Sequence, residues 1–331
     1  MAFTPVSLPA VLKIWVNKMS EDYTYAATIV IPVYNGAAFI EGQLRALAAQ
    51  QTDRSFEVVI SNNGSTDSTV KIVESFKAPF PLRIVDSSQH QGICHARNVG
   101  VREARGKIIL FCDADDYVEP GWVEAHLAAH DQYAPALIAG AVLHGDNPPE
   151  ALAAYGIATD EDQRLRKHSG ELEPSDMLTP YAGFRPSAVG CNFSVPRDVY
   201  LGQGGMDLSY VGGSEETDFT WRLMDAGIPM YKASAALVSY KLRTTPRAIF
   251  RQQRNYQRNK MLLWTRFKAQ GMRGSSLKYS IVAFFKALPL LVSPATRLEG
   301  ARLAGGNLGA IQGIIKYRMF PAPERQLMNN R

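Results

Sequence analysis

The sequence predicts an α/β domain, with a mainly parallel sheet covered by helices on both faces, followed by a basic and mostly helical C-terminal extension. Three observations lead there. From Thr28 to about Tyr133, short apolar β-branched runs alternate with segments of helical spacing, the pattern of repeated βα units with right-handed crossovers. The 331 residues are 46% hydrophobic, enough to bury one large core or two modest ones, and nothing in the composition suggests disorder. Charge divides sharply along the chain. Residues 241–331 carry 18 Lys and Arg against 2 Asp and Glu, formally +16, whereas residues 1–240 carry 18 against 29, formally −11.

Taken in order, Thr28 to Val33 reads as the first strand, and Ile40, Leu44 and Leu47 then recur at helical spacing up to Gln50. Glu57 to Ile60 is a second strand and Asp67 to Phe76 a second helix. Leu82 to Val85, Gly92 to Ala104 and Lys107 to Phe111 supply a third strand, a third helix and a fourth strand. Each strand runs into a polar loop, and in open α/β sheets the ligand crevice lies outside those carboxyl ends. No Gly-x-Gly-x-x-Gly follows the first strand, which disfavours an ordinary dinucleotide-binding fold.

The most informative loop is Asp113-Ala114-Asp115-Asp116. Three carboxylates within four positions repel one another, so a cation or a set of hydrogen-bond donors must offset them. A solvated turn explains a lone Asp-x-Asp, but this cluster sits at a strand end, where a divalent metal bridging to a phosphorylated substrate is the natural partner. Asn62-Asn63-Gly64-Ser65-Thr66-Asp67 is rich in turn formers and supplies a helix N-cap.

Beyond residue 135 the pattern loosens. Leu137 to Leu143 and Cys191 to Val195 read as strands, while Asp146 to Ser187 is polar and without strong periodicity, the character of a substrate-binding lid. Gly202 to Gly213 holds five glycines and leads into Ser214-Glu215-Glu216-Thr217-Asp218, where a helix starts that Gly227 stops. Ser214 can serve as an N-cap and the acids can complement the helix dipole. A first-turn carboxylate beneath a glycine-rich loop is also well placed as a general base.

Together, Ile29-Val30-Ile31-Pro32-Val33-Tyr34-Asn35-Gly36, Asn62 to Asp67, Gly92-x-x-x-Ala96-Arg97-Asn98, Asp113 to Asp116 and Glu215-Glu216-Thr217-Asp218-Phe219-x-x-Arg222-Leu223 resemble the family 2 glycosyltransferases over about residues 25–245. The resemblance implies a GT-A fold, a nucleotide-diphospho-sugar donor (a UDP-sugar foremost), Mn2+ or Mg2+, and transfer with inversion to an acceptor hydroxyl in glycan, glycolipid or glycoconjugate biosynthesis. It places Pro32, Tyr34 and Asn35 near the nucleobase and ribose, Arg97 close to the nucleotide, Asp113 and Ala114 on the donor side, and Asp115 on the metal. Asn62 stands where the family usually has an Asp that reads the base; an amide can accept from a uracil or thymine N–H but can also donate. Glu216 holds the position of the catalytic base, more often an Asp, with Glu215 and Asp218 as rivals.

Two other readings compete. A non-catalytic nucleotide-sugar sensor or scaffold would fit the departures at Asn62 and Glu216. A phosphotransferase of the haloacid-dehalogenase kind also places Asp-x-Asp after a strand, but needs a nucleophile near the chain start with Thr or Val two positions on; here Asp116 and Tyr117 follow Asp115.

The expected divisions are an N-terminal extension over 1–24, a nucleotide-sugar half over 25–135, an acceptor and base half over 136–240, and the basic extension over 241–331. In that extension Arg243, Arg247, Arg251, Arg254 and Arg258 recur every three or four residues, so several share a helix face toward donor phosphates, a lipid-linked acceptor or water. Ile281 to Val292 is interrupted by Lys286 and Pro289 and is too short to span a bilayer. With Leu308 to Ile315 it can lie in an anionic membrane interface, or pack on the core or across a homo-oligomer. No recognition motif with interleaved aromatics points to nucleic acid. Cys94, Cys112 and Cys191 lack paired spacing, which argues against disulfides and structural zinc and for a reducing compartment. The expected location is cytoplasmic, with the basic extension able to bring the chain to the cytoplasmic face of a membrane. Met1 to Met19 lacks the apolar core of a secretory signal; a short interfacial helix or a translational start at Met19 are the alternatives.

Overall fold

The computed structural model describes residues 23–167 and 172–328, so the expectations for Met1 to Met19 lie outside the described residues. Strands β1 (Tyr25–Val33), β2 (Phe56–Asn62), β3 (Leu82–Asp86) and β4 (Gly106–Phe111) pair in parallel in the order β3-β2-β1-β4. The sheet continues through β8 (Phe193–Pro196), antiparallel to β4 and to β6 (Leu137–Leu143), then through β9 (Met230–Ser239) and β5 (Tyr117–Val118). Strand β7 (Leu172–Pro174) pairs antiparallel with β9. The antiparallel insertion of β8 leaves a parallel half that carries the first four strand ends and a mixed half beside it.

Why the early strands read as unbroken apolar runs is visible in the packing. Ile29 and Ile31 of β1 and Ile108 and Leu110 of β4 enter one buried cluster, while Val30, Ile109 and Phe111 enter another on the opposite face. Helices α1 (Ile40–Ala48), α2 (Thr69–Ser75) and α4 (Trp122–Tyr133) cover the first face through Leu44, Val73 and Trp122. Helices α3 (Ile93–Glu103), α7 (Arg197–Gly202) and α8 (Glu215–Asp225) cover the second through Val101, Tyr200 and Phe219.

Asp146 to Ser187 is more regular than its composition suggested. It contains α5 (Pro149–Tyr155), with proline in its first turn and Gly156 closing it at φ 67°, and α6 (Asp160–Lys167), with acids first and bases last. Helices of seven and eight residues are too short to display a period. The extension forms α9 (Pro246–Phe267), α10 (Leu277–Ala287) and α11 (Arg297–Met319). Gly305, Gly309 and Gly313, spaced by four, form a stripe along α11 that lets its backbone approach α9: a Cβ at Gly309 would stand 2.1 Å from the Arg254 carbonyl oxygen. Leu308 to Ile315 therefore belongs to a helix packed on α9, whereas much of Ile281 to Val292 remains exposed. Among the described residues no helix is long and apolar enough to cross a membrane, and the three cysteines are buried and unpaired.

One buried amide holds the mixed half together. The β6–β9 ladder shifts register between Gly140 and Ala141, which leaves carbonyls without ladder partners. Asn192 fills that gap: its Nδ2 donates to the carbonyls of Ala141 and Ala236, both at 2.8 Å. Its Oδ1 accepts from Trp122 Nε1 at 2.8 Å, with His126 Nε2 at 3.0 Å. Gly140 is required beneath it, because a Cβ there would stand 2.2 Å from Asn192 Oδ1. Replacing Asn192 by Ala strands the indole N–H and two carbonyls in the core, so chemical denaturation should show a loss of about 3 kcal/mol, with Gly140→Ala also destabilising.

Candidate active site

The carboxyl ends of β1 and β4 open on a crevice of about 560 Å3. Pro32, Tyr34 and Asn35 line it on one side, Asp113, Ala114 and Asp115 on another, and Arg243, Arg251 and Tyr256 close it from the extension. The β1 loop is held open by side-chain acceptors. Asn35, at φ 51°, accepts through Oδ1 from the Thr66 amide at 2.8 Å, and its own amide donates to Ser65 Oγ at 3.0 Å. Asp67 accepts from the Ala37 amide at 3.1 Å. Asn62 does not line this crevice; its Oδ1 accepts from the Ser65 amide at 3.0 Å and shapes the turn. Asn63 likewise ties loops, donating to the His90 carbonyl and accepting from the Gly92 amide, both at 2.8 Å.

A second crevice, about 590 Å3, adjoins the first and shares Asp113, Asp115, Arg243 and Tyr256 with it. Glu215 and Glu216 line it, together with Arg97, Tyr181 and Tyr240. Arg97 is the hinge of the arrangement. Only 1% exposed, its guanidinium lies 2.8 Å from Asp113 Oδ1, 2.9 Å from the Gly190 carbonyl and 3.5 Å from Glu215 Oε1. Burial opposes its charge, but the carboxylates of Asp113, Glu215 and Glu216 outweigh burial and hold it firmly protonated.

The other acids sort themselves by environment. Asp115 meets Arg243 at 2.9 Å; burial and then Asp113 raise its pKa, and Arg243 pulls it back. Asp116 is buried, accepts from the Lys241 amide at 2.8 Å, and is pushed up to about 8 by burial and then by Asp113. On α8, Ser214 occupies the expected N-cap position at φ 70° but makes no side-chain cap hydrogen bond. Instead Glu215 Oε2 accepts from the Gly213 amide at 2.7 Å and fixes the glycine loop. Asp218, fully buried, pairs with Arg222 at 2.7 Å and Arg325 at 2.9 Å. That leaves Glu216 half-buried at the crevice, its carboxyl raised well above the usual carboxylate range by burial and then by Glu215.

Of the five spaced arginines, Arg243 and Arg251 line the first crevice, while Arg247, Arg254 and Arg258 do not. Gln252, Asn255 and Tyr256 of α9 also face it and were not anticipated. Their signal was a run of polar and aromatic side chains on a helix whose other face, with Leu262 and Leu263, is buried. Among the described residues no three His, Cys, Asp or Glu side chains cluster as a metal site. Asp115, with Asp113 beside it, nevertheless offers hard carboxylate oxygens of the kind that suit Mg2+ or Mn2+.

A twisted sheet, parallel in one half and mixed in the other, with Asp-x-Asp after the fourth strand and an acid-rich helix facing it, defines a GT-A architecture. Residues 28–192 match the model of Glycosyl transferase family 2, and the chain belongs to that family. It is 36% identical over 114 residues to the uncharacterized glycosyltransferase YfnE of Bacillus subtilis (strain 168), a match covering 34% of this chain and 29% of that one. It is 31% identical over 224 residues to a validoxylamine A glucosyltransferase of Streptomyces hygroscopicus subsp. jinggangensis (strain 5008), covering 61% and 52%. The chain thus spans about half or less of the length of these curated relatives. A mannosyltransferase from Pyrobaculum calidifontis, solved with GDP-Man and Mn2+, superimposes with TM-score 0.55 at 18% identity over 91% of this chain and 92% of that one. This membership sets aside the haloacid-dehalogenase alternative.

Because Arg97 neutralises two acids from different halves, Arg97→Met should cost about 3–5 kcal/mol in denaturation. Arg97→Lys, lacking the guanidinium fork, should recover only part of that loss.

Proposed function

We propose that the protein transfers a sugar from a nucleotide-diphospho-sugar, a UDP-sugar first among the candidates, to an acceptor hydroxyl with inversion at the anomeric carbon. The observation that carries this reading is the contrast on α8: Glu215 and Asp218 are spent in buried ion pairs, while Glu216 stands at the crevice that also holds Asp115. Pro32, Tyr34 and Asn35 would receive the nucleoside, and Asp113 and Ala114 would flank the donor. Arg97 shapes this region from beneath, through Asp113.

Asp115, assisted by Asp113, would hold a divalent cation; when bound, it would neutralise charge on the leaving diphosphate and orient it. Arg243 and Arg251 line the same crevice and add fixed positive charge for the phosphates. Glu216 takes the proton of the acceptor hydroxyl as its oxygen bonds to the anomeric carbon. The bond from that carbon to the diphosphate oxygen breaks, and its electron pair leaves with the nucleoside diphosphate. The raised Glu216 carboxyl must be ionised to act, so turnover falls as pH drops through its pKa. The acidic limb of the rate profile should therefore lie above the usual carboxylate range, toward neutrality.

Nucleoside-diphosphate release from UDP-, GDP- and dTDP-sugars with Mn2+ or Mg2+ tests the reading. One donor should turn over, chelation should stop it, and Asp115→Ala should slow it by about 10²–10³-fold. Metal-assisted binding without turnover, even with soluble and lipid-linked acceptors, would favour the sensor or scaffold instead.

We also propose that the extension rests on an anionic membrane surface, on the cytoplasmic side, where a lipid-linked acceptor would be met. Supporting this, Tyr279, Phe285 and Val292 are 72%, 63% and 86% exposed, beside Lys278 and Lys286. Co-sedimentation with phosphatidylglycerol-containing vesicles should exceed that with phosphatidylcholine alone and drop in Phe285→Asp. Equal recovery with both vesicles would count against it.

A further inference from the structure

Asp115 is claimed twice. The transferase reading assigns it to a cation, yet its Oδ2 lies 2.9 Å from the guanidinium of Arg243. A guanidinium and a divalent cation cannot both occupy that face of one carboxylate, since each brings positive charge to the same oxygen. The neighbouring pair cannot resolve the conflict. Arg97 is 1% exposed and tied to Asp113, Glu215 and the Gly190 carbonyl, so it has nowhere to go.

Arg243 is built differently. Its side chain is 44% exposed, and it stands in the connection between β9 and α9. The backbone just before it is anchored, with the Lys241 amide donating to Asp116 and the Leu242 amide to Asn147 Oδ1, both at 2.8 Å. The root is fixed while the side chain beyond it keeps a large share of its surface in water. Within the same crevice, Arg251 marks where further negative charge would be welcome. A diphosphate is the better partner for an exposed guanidinium, because its oxygens match the fork bidentately and carry more charge than a single carboxylate.

We infer that Arg243 and the divalent cation compete for Asp115, and that the donor diphosphate ends the competition by drawing the guanidinium onto its own oxygens. Arg243 thereby couples the two ligands. Without nucleotide the cation must displace an ion pair; with nucleotide it meets a free carboxylate. Coupling is reciprocal, so the cation strengthens nucleotide binding by the factor by which nucleotide strengthens cation binding. The inference rests on the transferase reading for the diphosphate, but the competition itself concerns Arg243 and Asp115 alone.

The test uses Mn2+ alone, with free ion read by electron paramagnetic resonance on the full chain without nucleotide. Arg243→Gln should bind Mn2+ about tenfold more tightly than wild type, within the usual range of such couplings. Arg243→Lys, which keeps the charge, should stay near wild type, and Asp115→Asn placed on Arg243→Gln should abolish the gain. Equal affinity in wild type and Arg243→Gln, or a gain that survives Asp115→Asn, overturns the competition. Calorimetry of UDP and GDP with wild type in Mn2+ separates the two ideas. Absence of nucleotide binding there would sink the transferase reading and the handover with it, while the Mn2+ titration still decides whether Arg243 guards Asp115.

Discussion

Everything at the crevice depends on one buried cation, the Arg97 guanidinium. It neutralises Asp113, at the end of the parallel half, and Glu215, at the start of a helix in the mixed half. A guanidinium withdrawn this far from water is stable only between such acids, and acids this close are tolerable only around such a cation. The two halves therefore lock in one relative placement. The acids to which the proposed transfer assigns chemical work are the near neighbours of the clamped ones: Asp115 two residues past Asp113, Glu216 one past Glu215. Fixing the first pair positions the second.

The opposite charges of the two parts of the chain gain a partial explanation. Arginines of the extension meet carboxylates of the front half at Arg243–Asp115, Arg266–Asp207 and Arg325–Asp218, and the last two of these carboxylates are fully buried. Some of the anionic partner that a basic tail demands is thus the chain's own acidic front part. The C-terminal segment also binds back through its backbone, the Gln326 amide donating to Asp207 and the Met328 amide to the Gly204 carbonyl, both at 2.9 Å. It supports the glycine loop that precedes Glu216. The extension forms part of the crevice wall, with basic charge left over on its exposed helices.

Much of this was legible in the sequence, for identifiable reasons. Strands such as Thr28 to Val33 and Lys107 to Phe111 announce themselves because both faces are buried, and each extends the predicted range by only a few residues. The Asp cluster and the acid run on α8 stood out because no folding requirement explains them. Strand β9 went unseen, since its alanine-rich sequence carries a register shift that breaks any period. Asn192 gave no local sign of its four-way role, and nothing in the spacing of Asp115 and Arg243 shows that they meet. Long-range polar contacts leave little trace in local pattern. Ser214, at the expected cap position, is held in the left-handed region, where strain commonly marks a functional turn.

The central claim is a division of labour between adjacent acids, Glu215 for architecture and Glu216 for chemistry. Measuring stability, donor affinity and turnover side by side in Glu215→Gln and Glu216→Gln tests it most directly. Glu216→Gln should keep wild-type stability and donor affinity while losing about 10²–10⁴-fold in turnover. Glu215→Gln should lose stability first, through Arg97. A stable but inactive Glu215→Gln beside an active Glu216→Gln would contradict the account and move the base one residue back.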